Sequence, residues 1–206
     1  MAEENNEQVI EDDPIEVRRA KREALLAEGK NPYGHAAFEY SHHIVDLDEK
    51  YAELADGENT EDAVSIAGRV MAKRVQGKII FFELQDATGR IQLFCRINAL
   101  GEDVFAEMKD LDLGDWIGVH GLMMRTRRGQ LSVAVDSFQL LSKALRPLPE
   151  KFHGLNDKET RYRQRYVDLI VNDEVRDTFQ KRSQILSAFR RYMVADGYYE
   201  VVTPIL

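Results

Sequence analysis

From Val64 to about Leu141 the chain alternates apolar and polar residues with a period of two, the spacing of half-buried strands. The pattern predicts strands over 64–75, 79–85, 90–97, 115–126 and 130–141, with glycine-containing turns at 77, 89 and 129. Between the third and fourth strands, "GEDVFAEMKDLDLG" reads as a short amphipathic helix. Five strands with one helix between strands three and four is the order of an OB-fold barrel, a platform for single-stranded nucleic acid. On either side the period lengthens. Residues 14–28 predict a helix with Pro14 at its first position and Gly29 as its stop, and a further short helix is expected near 46–55. Beyond the Pro-containing linker "RPLPEKFHG", helices are expected over 158–171 and about 174–195. In the second, Phe179, Leu186, Phe189 and Met193 recur at three- and four-residue spacing. Gly197 ends it, and "YYEVVTPIL" begins a strand. The fold class is α+β. The expected division is an acidic, disordered tail (1–13), a helical extension (14–60), the barrel (61–145), and a linker with the start of a second domain (146–206).

The hairpin "KIIFFELQDATGRIQLF" (78–94) carries the chemistry. A four-residue turn at 86–89 pairs 80 with 95, 82 with 93 and 84 with 91, so that apolar residues meet on the core side. Phe81 then falls opposite Phe94 and diagonal to Gln92 on the outer face. In the first strand Ser65, Arg69 and Lys73 share that face. The outer sheet thus presents Phe81, Phe94, Gln92, Arg69 and Lys73 together. Aromatics stack bases, an amide reads a base edge, and cations hold phosphate or a carbonyl oxygen. The competing reading has Phe81 and Phe94 cover a second layer of core against the N-terminal helix. Arg18, Arg19, Lys21 and Arg22 on that helix likewise read either as a solvated face or as an RNA-backbone contact.

A net charge of −8 argues against a polyanionic partner until its distribution is considered. Residues 1–60 carry 6 Lys/Arg against 16 Asp/Glu, whereas 61–146 carry 12 against 11 and 147–206 carry 10 against 9. The acidity belongs to the N-terminal segment, and a neutral barrel binds polyanions if its cations share a face. The single Cys95 excludes an internal disulfide and suits a reducing cytoplasm. No secretory signal or membrane span is visible, and the five histidines show no metal spacing.

The stretch "RPLPEKFHGLNDKETRYRQRYVDLI" (146–170), with "GRIQLF" and "SIAGRVMAKRVQGK" upstream, closely resembles bacterial lysyl-tRNA synthetases, from roughly residue 14 to the last residue. The resemblance implies an anticodon-binding OB-fold before the truncated start of a class II α/β catalytic domain, in the lysyl rather than the aspartyl or asparaginyl branch. It implies that the central uridine of the tRNA(Lys) anticodon stacks on Phe81 and is hydrogen-bonded by Gln92 and Arg69, with Phe94 and Lys73 as neighbours. "ILSAFRRYMVADGYYEVVTPIL" resembles class II motif 1, which implies a homodimer interface containing Phe189, Met193 and Pro204.

The motif 2 and motif 3 arginines that hold ATP in such enzymes have no counterpart in these 206 residues. The full-length parent would be a cytoplasmic lysine–tRNA ligase using ATP and magnesium. This chain alone is expected to be inactive, with no catalytic residue, metal or cofactor of its own, and a gene fragment or incomplete sequence is the expected origin. The alternatives are a stand-alone tRNA-binding protein derived from a synthetase and a lipid-lysylating membrane fusion. The second of these would need an upstream membrane segment.

Overall fold

The computed structural model describes residues 13–34, 37–149, 155 and 157–204. Residues 1–12 of the expected tail, most of the linker and the last two residues of the expected final strand lie outside them; Asp13, assigned to the tail, is instead the cap of the first helix. The chain divides into two compact units, residues 1–147 and 148–206.

In the first unit five strands close a barrel: β1 (Asn59–Gln76), β2 (Ile79–Gln85), β3 (Arg90–Arg96), β4 (Trp116–Arg125) and β5 (Leu131–Ser142). Their order is β1-β2-β3-β5-β4, with β3 and β5 parallel and the other pairs antiparallel. The hairpin register is the one the alternation predicts: Ile80 faces Cys95, Phe82 faces Leu93, Leu84 faces Ile91 and Phe81 faces Phe94. Gly77, at φ 57°, takes the first central position of the two-residue β1–β2 turn, where a side chain would be strained.

The first strand is longer than the sequence suggests because it serves two neighbours. Ala63–Arg69 pair with β4, and Arg69–Gln76 pair with β2. Closure brings the backbones together at Gly68, where a Cβ would come within 2.6 Å of the Gln85 carbonyl oxygen.

The barrel interior is filled by Val64, Ile66, Val70, Ile80, Phe82, Leu84, Leu93, Cys95, Ile117, Val119, Met123 and Val133, all nearly inaccessible. Burial pushes the Cys95 thiol up to about 12, which makes it a packing residue. Helix α1 (Pro14–Ala27) starts at Pro14 with Asp13 as its cap, the Asp13 carboxylate accepting from the Ile15 N–H at 2.9 Å. Helix α2 (Ile44–Lys50) places Ile44 and Leu47 into one end of the core, beside the β2–β3 turn. There Asp86 accepts from the N–H groups of Ile44, Thr88 and Gly89 and so ties turn to helix.

Two helices link β3 to β4 where one is expected: α3 (Ile97–Leu100) and α4 (Glu102–Asp110). Gly101, at φ 81°, separates them, and Phe105 and Met108 of α4 pack into the core. After α4, Asp115 is fully buried and meets the Lys143 ammonium at 2.8 Å. Asp112 joins the pair. Burial would raise the Asp112 pKa, but Lys143 and Lys21 outweigh it and hold the carboxyl below its usual value.

In the second unit the expected helix 158–171 is two helices, α5 (Lys158–Arg163) and α6 (Arg165–Val171), broken at Gln164. Their junction is held by the fully buried Asp168, which accepts from Arg161 Nε at 3.0 Å, from Arg165 and from Asn172. Helix α7 (Asp173–Ala195) follows, with Phe189 63% exposed. The described residues 198–204 are not a strand, because a strand needs a paired edge and the described part of this unit holds no other strand.

Lys143→Met leaves Asp115 buried without its cation. It should destabilise the barrel by about 3–5 kcal/mol in urea unfolding followed by Trp116 fluorescence. A loss below about 1 kcal/mol would show that the Lys143–Asp115 pair does not hold the barrel together.

Candidate nucleic-acid interface

On the outer face of β1–β3 the side chains fall in cross-strand rows. One row carries Arg74, Phe81 and Phe94. The next carries Ala72, Glu83 and Gln92, followed on β5 by Ser132, and the third carries Arg69, Gln85 and Arg90. The Phe81 and Phe94 rings lie 5.4 Å apart at 35° and are each half-buried. Arg74 sits 5.7 Å from the Phe81 ring and Arg96 5.3 Å from the Phe94 ring. Gln92 donates to Ser132 Oγ at 3.0 Å, which fixes its amide, and Ser132 Oγ in turn donates to the Gln130 carbonyl. Two aromatic faces, two exposed guanidinium groups and one oriented amide make a surface suited to unpaired bases on a phosphate backbone.

Three expected partners of this surface sit elsewhere. A β-bulge between Val70 and Ala72 adds one residue to β1 and reverses the alternation beyond it. Lys73 therefore pairs with the core residue Phe82 and turns inward. Its ammonium donates to the carbonyls of Lys109 (2.9 Å) and Leu111 (2.6 Å) at the C-terminal end of α4. The same shift brings Arg74 onto the outer face opposite Phe81, a position that strict alternation assigns to the other side.

Arg69 is on the outer face as expected, but two rows from Phe81, about 13 Å along the strand. Its guanidinium donates to the Gly114 carbonyl at 3.0 Å and lies 5.2 Å from the Trp116 ring, and burial lowers its pKa. Ser65 is covered by the segment preceding α2: its N–H donates to Ser41 Oγ at 2.9 Å and its hydroxyl to the Glu39 carbonyl at 2.6 Å.

The basic residues of α1 face other partners. Arg18 is buried on the carbonyls of Ala144 and Arg146, Lys21 pairs with Asp110 and Asp112, Arg19 with Glu16 and Arg22 with Glu23. None of these contacts falls on Phe81 or Phe94. Among the described residues no cluster of three or more His, Cys, Asp or Glu is arranged to hold a metal, and no helix is long and apolar enough to cross a membrane.

Comparison with known families gives this surface its class. Residues 64–141 match the OB-fold nucleic acid binding domain, and residues 157–206 match the class II tRNA synthetases (D, K and N). The chain therefore carries a nucleic-acid-binding barrel followed by class II synthetase sequence. By sequence it is related to the lysine–tRNA ligases, as the 146–170 motif indicates. It is 50% identical over 194 residues to the lysine–tRNA ligase of Thermosynechococcus vestitus, covering 92% of this chain and 38% of the relative. It is 47% identical over 208 residues to that of Oceanobacillus iheyensis, covering 100% of this chain and 41% of the relative. The chain spans about two fifths of the length of the curated relatives it matches.

The inward and outward cations should separate in stability measurements. Lys73→Met removes two charge-assisted hydrogen bonds and should cost about 2–4 kcal/mol, whereas Arg74→Met should stay within about 0.5 kcal/mol of the parent. Equal effects from the two variants would show that the bulge does not set their directions.

Proposed function

We propose that residues 61–145 are the anticodon-reading domain of a lysine–tRNA ligase and that residues 146–206 begin its catalytic domain. The observation that carries this reading is the Phe81–Phe94 pair flanked by Arg74 and Arg96, one row from Gln92, within a barrel of the nucleic-acid-binding family. In it the central uridine of tRNA(Lys) stacks on Phe81 and Phe94. Gln92 bonds the uracil edge, and Arg74 takes the place first given to Arg69. Lysine activation with ATP and magnesium, and transfer to the tRNA 3′-end, belong to the part of the relatives that this chain does not span. The reading places the parent in the cytoplasm.

The same reading makes α7 half of a homodimer interface. Phe189 and Pro204 are exposed and Met193 is half-buried on this chain. A groove of about 510 Å³ between α7 and the residues after it is lined by Leu186, Phe189, Met193 and Tyr198. Apolar side chains left in water at helical spacing are what a partner helix would cover.

Titration with a lysine-type anticodon stem-loop tests the RNA half. Affinity should fall as salt rises, since bound cations release phosphate counterions. Phe81→Ala should cost about 1–3 kcal/mol of binding with little change in unfolding. Replacing the central uridine should cost a comparable ~1–3 kcal/mol through unmatched polar groups. Lysine-dependent ATP–pyrophosphate exchange should be absent from the 206-residue chain. Indifference to the central base would leave a nonspecific RNA-binding barrel, and exchange by this chain alone would overturn the assignment.

Sedimentation tests the second half. The chain should self-associate, and Phe189→Glu should shift it toward monomer without loss of helix signal. A monomer before substitution would remove the interface.

A further inference from the structure

Helix α1 carries a basic cluster whose contacts lie away from the Phe81–Phe94 pair, and one of its members, Arg18, reaches two carbonyls of one short piece of backbone. Arg18 is 8% exposed, and its Nη1 donates to both the Ala144 and the Arg146 carbonyl, each at 3.1 Å. Those carbonyls lie beyond the last residue of β5, where the chain has left the sheet ladder.

The rest of that segment is held as completely. The Lys143 ammonium sits on Asp112 and Asp115, and the Lys143 carbonyl accepts from Tyr33 Oη at 3.1 Å. The Ala144 N–H donates to Asp115 Oδ1 at 2.8 Å. Lys21, one turn along α1 from Arg18, reaches Asp112 at 3.2 Å and joins the same charge cluster.

An exit strand usually frays once its ladder ends, because its carbonyls turn to water. Here the carbonyls of Ala144 and Arg146 are instead taken by a buried guanidinium delivered from a residue more than a hundred positions earlier. We propose that the N-terminal extension is a clamp on the exit of the barrel. Arg18 is its positioning residue and Tyr33 its second contact, and together they extend the barrel's rigid body from Ser142 to Arg146. The direction in which the chain leaves the barrel is then set by α1 as well as by β5. The inference stands on these contacts alone and is independent of what the outer face binds.

Hydrogen–deuterium exchange and limited trypsin digestion of the whole 206-residue chain test it. Arg18→Met should speed exchange in the peptide covering 143–147 at least tenfold and open the Lys143–Ala144 bond to trypsin, while the β1–β3 peptides keep their protection. Arg18→Lys, which retains a cation able to donate to a carbonyl but lacks the planar guanidinium, should restore part of the protection. Arg19→Met, an exposed neighbour on the same helix, should change nothing. Unchanged exchange at 143–147 in Arg18→Met would overturn the clamp. So would equal acceleration across β1–β3, which would make Arg18 a general stability element. If Arg18→Met does not fold, Tyr33→Phe decides. Selective acceleration of 143–147 supports the clamp, and the parent's exchange rate there refutes it.

Discussion

The extra residue that β1 accommodates between Val70 and Ala72 governs the rest of the barrel. A single strand must pair with β4 over its first half and with β2 over its second. The bulge bends and twists it between the two ladders, as closure requires. It also exchanges the roles of the two cations that follow. Lys73 becomes an internal tie to the end of α4, and Arg74 becomes the neighbour of Phe81. One backbone irregularity thus closes the sheet and sets the charge beside the aromatic pair.

Many of the chain's cations serve structure. Lys143 neutralises a fully buried carboxylate, Arg69 lies on Trp116, Arg18 and Lys21 hold the exit of the barrel, and Arg125 donates to the carbonyls of Tyr51, Ala52 and Gly129. A basic count for the barrel therefore overstates what it offers a polyanion. The exposed Arg74 and Arg96 each lie on a ring of the Phe81–Phe94 pair.

The β2–β3 hairpin was legible in the sequence because its two strands alternate without interruption and its turn fixes the offset, so Phe81, Phe94 and Gln92 fall where the pattern puts them. Lys73 departs from the face that alternation gives it, and Arg74 goes without a signal, because a bulge leaves no periodic signature: MAKR reads as a continued strand whether or not a residue is inserted. The helix 158–171 splits at Gln164, where Asp168 gathers Arg161 and Arg165 from both sides of the break, a specific side-chain cluster that intrinsic propensity does not carry. Residues 198–204 have strand composition but no partner strand among the described residues of their unit, and pairing is a property of the neighbour as much as of the segment.

In the proposed function the outer face of β1–β3, rather than the basic N-terminal helix, meets unpaired RNA bases. Residue-resolved NMR of the chain during titration with a lysine anticodon loop tests it most directly. The largest shift changes are expected at Arg74, Phe81, Gln92, Phe94 and Arg96, with Lys73 and the α1 residues Arg18 and Lys21 unmoved. Changes centred on Arg19 and Arg22, with the Phe81 and Phe94 rings silent, would contradict it.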